Sequence, residues 1–90
     1  MRVRGKERPR LAVPARRLDC YLTEQLHRAP GFEAVSVSAG YRLNAPDVDG
    51  CNWSGNVVLL RGLRAPPSDV IAAALRPIVR WARARFNMSE

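Results

Sequence analysis

Ninety residues make one small domain with a thin core, and the chain is 47% apolar with a net charge of +7. The apolar fraction excludes full disorder. Two cysteines exclude the disulfide framework of small secreted scaffolds, and no apolar run approaches the roughly 20 residues that span a bilayer.

The charge favours a polyanionic partner, and it is unevenly spread. Residues 1–17 carry +6, residues 18–60 carry −3 and residues 61–90 carry +4. Fourteen of the fifteen basic residues are arginine. A GC-rich coding bias produces such a skew, but arginine also grips phosphate with a bidentate fork. The start "MRVRGKERPR" is positive but no apolar segment follows it, so the expected location is cytoplasmic.

Residues 1–15 read as a basic arm, kept extended by Pro9 and Pro14, with room for a short strand near Leu11 to Val13. Residues 16–90 read as a single α+β domain. A first helix is expected over 15–29, where Leu18, Leu22, Leu26 and Ala29 fall on one stripe. Pro30 and Gly31 end it.

"FEAVSVSAGYRLN", residues 32–44, alternates with period two and reads as a strand, with Gly40 as a bulge. "CNWSGNVVLLRG", residues 51–62, reads as a second strand. Its "VVLL" run is apolar on both faces, which predicts a deeper position in the sheet or burial under a helix. The two strands form an antiparallel hairpin closed by "APDVDG".

A second helix is expected within 65–88, capped by Ser68, with Ile71, Leu75, Ile78 and Ala82 as its apolar stripe. Pro77 predicts a kink or a split near Ala74. The fold class is therefore α+β in α–β–β–α order, an antiparallel sheet packed by two helices behind a basic arm. Two strands alone are marginal in water. A third must come from the arm, from residues 44–52 or from a second chain.

No chemistry-bearing constellation stands out. Asp47, Asp49 and Cys51 lack the spacing of a zinc or calcium site. Cys20 and His27 lie about 10 Å apart along a helix, too far for shared ligation. Cys51 has no base assigned to it, so neither an enzyme, a metal nor a cofactor is expected. "PDVDGCNWSG" reads as a turn, with Trp53 anchoring the end of the core.

Arg76, Arg80 and Arg83 recur at i, i+4 and i+7 opposite the apolar stripe, and Arg61 and Arg64 precede the helix. With Arg8 and Arg10 of the arm they are the candidate nucleic-acid contacts, set against the ordinary alternative of a solvated face. Trp53 and Trp81 are candidate partner contacts. The expected function is a small non-enzymatic binding module for nucleic-acid phosphates. The alternative is an interaction or assembly protein, in one form a homodimer, that meets its partner through a sheet edge or through the Trp53 and Tyr41 surface, with the charge serving solubility.

Overall fold

The leucines of the first helix set the centre of the molecule. In the computed structural model, which describes residues 10–62 and 64–89, α1 spans Ala15–His27 and buries Leu18, Leu22 and Leu26 almost completely. Each such side chain contributes roughly 1.5–3 kcal/mol of transfer free energy. The helix stops two residues before its expected end. Ala29 precedes Pro30 and is pushed out of helical geometry by the proline ring.

Two helices and several short strands make a small mixed α+β domain. The strands are β1 (Leu11–Val13), β2 (Val35–Ser38), β3 (Tyr41–Arg42), β4 (Trp53–Ser54), β5 (Val57–Leu60) and β6 (Phe86–Met88). The second helix, α2, spans Ser68–Arg85. Two of these strands correct the α–β–β–α order. β6 follows α2 directly and pairs in parallel with β1, Leu11 opposite Phe86 and Val13 opposite Met88. The end of the expected arm is thus a strand. Residues 1–9 lie outside the described residues.

The central hairpin has one register throughout. Val35 pairs with Leu60, Ser38 with Val57, Tyr41 with Ser54 and Arg42 with Trp53. No residue is inserted, so Gly40 does not mark a bulge. It marks a close approach: a Cβ at Gly40 would lie 2.0 Å from the Ser54 carbonyl oxygen and 2.6 Å from the Gly55 backbone. With both glycines at positive φ, the regular ladder breaks there. Burial changes side across the break. Val35 and Val37 are buried on the inner half, whereas Cys51 and Trp53 are buried on the outer half.

A stripe of α1 side chains closes the free edge of β2. Asp19 Oδ1 accepts the Ala39 N–H at 2.6 Å. Thr23 Oγ1 accepts the Val37 N–H at 2.9 Å and donates to its carbonyl at 3.2 Å. His27 Nε2 donates to the Val35 carbonyl at 2.7 Å. The spacing of four puts these three side chains on one helix face, level with alternate strand residues.

The "VVLL" strand contradicts its expectation. Val57, Val58, Leu59 and Leu60 are 50%, 36%, 53% and 57% exposed. α1 packs along β2, the other strand of the ladder, and the main contacts of β5 are with β2.

The second helix also departs in two respects. Its N-cap is Pro67, whose carbonyl accepts the Val70 and Ile71 N–H groups, and Ser68 already lies inside. The helix runs unbroken through Pro77. The missing donor would have served the Ala73 carbonyl, and Ala73 and Pro77 both lie on the exposed side of the helix. No helix among the described residues is long and apolar enough to cross a membrane.

Candidate functional site: an arginine-lined cleft

The 45–51 turn is organised by one carboxylate. Asp47 Oδ1 accepts the backbone N–H of Asp49 at 2.9 Å and of Cys51 at 3.0 Å. The Asp47 N–H donates to the Cys51 carbonyl at 2.9 Å. Its other oxygen, Oδ2, accepts from Arg83 Nη2 at 2.5 Å. The Cys51 N–H holds the Asp47 carboxyl below its ordinary pKa. Partial burial opposes this, while the Asp49 N–H, Arg83 and Arg10 reinforce it.

Arg83 reaches further inward. Its Nη1 donates to the Trp53 carbonyl, and its guanidinium lies 5.6 Å from the centroid of the Trp53 ring. Trp53 is fully buried and donates its indole N–H to the Phe86 carbonyl at 2.8 Å. A residue so enclosed offers no surface to a partner, so the reading of Trp53 as a contact residue is corrected. Its place is that of a core anchor. Arg83 likewise spends its charge inside the molecule, joining α2 to the turn.

Outside this joint lies a cleft of about 570 Å³. Arg76, Arg80 and Arg83 line it with Val79 and Ala84 from one face of α2, and the turn closes it with Val48, Asp49 and Cys51. Arg10 completes it from the other end of the chain, held by its Nε donating to the Arg83 carbonyl at 3.0 Å. Four arginines and one aspartate therefore line one depression. Arg83 is neutralised by Asp47. Among the described residues no carboxylate lies within ion-pair distance of Arg76 or Arg80.

The structure thus brings together four of the seven arginines singled out in the sequence. Arg61 and Arg64 are exposed in the connection from β5 to α2 and do not line the cleft. The Arg61 N–H extends the hairpin by donating to the Ala34 carbonyl at 2.7 Å. Arg8 lies outside the described residues. Sequence reasoning missed the contribution of the turn: Val48 and Asp49 stand opposite the arginines. Val79 shares the helix face of Arg76 and Arg83 at i+3 and i+4 spacing, and an apolar residue among the arginines was the available signal.

Trp81 is 43% exposed but not unoccupied. Tyr21 stacks on it with centroids 5.7 Å apart, Phe86 meets it edge-on at 6.0 Å, and the Arg85 guanidinium sits 4.0 Å from its centroid. Burial raises the Tyr21 phenol above its ordinary pKa against the pull of Arg28 and Arg85. A base could stack on Trp81 only by displacing Arg85 or Tyr21.

Elsewhere the chemistry is structural. Cys51 is buried and its thiol donates to the Trp53 carbonyl at 3.6 Å. Among the described residues no three His, Cys, Asp or Glu side chains converge on a point. No protein family matches the chain, nor does any curated protein or solved structure.

Proposed function

We propose that the chain is a small non-enzymatic binding module whose cleft takes phosphates of a nucleic-acid backbone. One observation carries this reading. Arg10, Arg76 and Arg80, from opposite ends of the sequence, line one cleft, and Arg76 and Arg80 have no carboxylate partner among the described residues. Guanidinium groups so placed match the geometry and charge of phosphate oxygens. Arg83 serves as a positioning residue, because its fork is already filled by Asp47 and Trp53.

The contacts are to backbone and carry little base information, since the exposed tryptophan already has neighbours on its ring. The first nine residues add Arg2, Arg4, Lys6 and Arg8 against Glu7, which extends the positive field. A cytoplasmic setting fits the two free thiols.

The test is fluorescence anisotropy with labelled duplex DNA, single-stranded DNA and RNA, at low and near-physiological salt. Binding that weakens steeply with salt supports the module, and the preferred probe names the nucleic acid. Absence of binding to all three at low salt contradicts it. A second reading, an assembly protein, is favoured by the exposed β5 strand.

A further inference from the structure

We infer that β5 is a pairing edge for a second copy of this chain, joined antiparallel about a two-fold axis at Leu59. The inference is independent of the arginine cleft.

The hydrogen-bonding direction of the hairpin follows from the bond between the Arg61 N–H and the Ala34 carbonyl. Antiparallel alternation then turns the backbone groups of Leu59 and Val57 toward β2. Those of Val58 and Leu60 point outward, and no partner for them is found among the described residues. On β2 the equivalent outward groups, at Val35, Val37 and Ala39, are met by His27, Thr23 and Asp19. One edge of the ladder is closed side chain by side chain, and the other is open.

The open edge lacks the usual protection. Edge strands of soluble proteins carry a charge, a proline or a bulge. Val57–Leu60 has none of these and is exposed and apolar on both faces. Val58 and Leu60 share one face, and Val57 and Leu59 share the other.

A second copy is the occupant this pattern fits. A partner strand must itself be apolar on both faces, and the chain supplies that strand. With Leu59 on the axis, Val58 of one protomer lies opposite Leu60 of the other, so every outward group of β5 is used. Leu59 meets its own copy in a non-hydrogen-bonded pair, where Cα atoms lie about 4.5 Å apart. The two-stranded ladder becomes four-stranded, which removes the marginality of an isolated hairpin.

Size sets the strength. A standard interface covers about 800 Å² per partner, whereas an apolar patch on one strand reaches only several hundred Å². The dimer is therefore weak, and it is sought at high protein concentration. Each chain carries +7, so salt strengthens the dimer while weakening any phosphate contact.

Sedimentation equilibrium from about 10 μM to about 1 mM, in about 0.3 M salt, reads the association. The expected mass rises from 10.0 kDa toward twice that value, and Leu59→Lys keeps it at the monomer. The second measurement is oxidative cross-linking of Leu59→Cys in a Cys20→Ser background, with Ala72→Cys as the exposed control. Cross-linking through Leu59→Cys but not Ala72→Cys is expected, because paired strands bring Cβ atoms within disulfide reach. A monomer throughout with no preferential cross-link overturns the proposal. So does an assembly that survives Leu59→Lys. An assembly lost in Leu59→Lys without the cross-link overturns the Leu59-centred register.

Discussion

The side-chain amide of Asn52 pairs with the backbone of Met88 as a neighbouring peptide would: Nδ2 donates to the Met88 carbonyl at 2.9 Å and Oδ1 accepts its N–H at 2.7 Å. Asn87 returns the arrangement, accepting the Asn52 N–H at 3.1 Å and donating to the Gly50 carbonyl at 3.3 Å. This amide clasp ties the end of the hairpin to β6, and through β6 to β1. It does the work of a strand pairing that the backbone itself does not make.

Asn52→Ala leaves both Met88 backbone groups without their partner and is expected to cost about 1–3 kcal/mol. For a domain of this size each kcal/mol lowers Tm by roughly 4–8 °C. Asn52→Asp keeps the acceptor, but a carboxylate cannot donate to the Met88 carbonyl, so it too is destabilising near neutral pH. Urea unfolding of both variants checks this, and wild-type stability in Asn52→Asp would remove the donor half of the clasp.

Asp47 predicts how stability depends on pH. Its folded-state pKa lies below the ordinary value, chiefly because the Cys51 N–H donates to its carboxylate. The unfolded chain therefore takes up the proton first as pH falls. The contribution of Asp47 is complete above the ordinary carboxyl pKa of about 4 and is lost as pH falls through the folded value. Asp47→Asn keeps an oxygen for the turn but loses the charge facing Arg83. It should melt below wild type at pH 7, and the gap should narrow as pH falls below the ordinary carboxyl value of about 4. A gap that stays constant in thermal scans from pH 7 to 3 would contradict this.

Gly40 should be the least tolerant glycine of the hairpin crossing. Gly62 shares a positive φ but has open space around it, so Gly62→Ala is expected to cost only the left-handed penalty of about 1–2 kcal/mol. Gly40→Ala adds a collision with the Ser54 carbonyl, and the strands must separate to admit it. A loss of about 3 kcal/mol or more is expected. Equal losses for the two variants would mean that the crossing is looser than described.

Much of the architecture was legible from periodicity. The Leu18–Leu22–Leu26 stripe, the Ile71–Leu75 stripe and the hairpin between them follow from spacing that each element obeys alone. What was not legible depends on pairs distant in sequence. Phe86–Met88 reads as a helix tail because Phe86 continues the stripe of α2, and only β1, some 75 residues away, makes it a strand. "VVLL" reads as a core strand because its composition cannot say on which strand α1 will lie. The arginine stripe of α2 was visible at helical spacing. That Arg83 is consumed by Asp47 was not, because the partner sits in a turn whose fold depends on that same carboxylate.

In the proposed function Arg10, Arg76 and Arg80 act together on phosphates. The direct measurement is the slope of log affinity against log salt for the preferred nucleic-acid probe, in wild type and in Arg76→Ala/Arg80→Ala. Each neutralised phosphate contributes about 0.9 to the slope on duplex DNA and about 0.7 on a single strand. The double variant is expected to lose nearly two contacts' worth of slope and to keep its melting temperature, since both side chains are exposed and unpaired among the described residues. An unchanged slope in a folded double variant would show that the charge of this chain acts elsewhere and that the cleft is not the site.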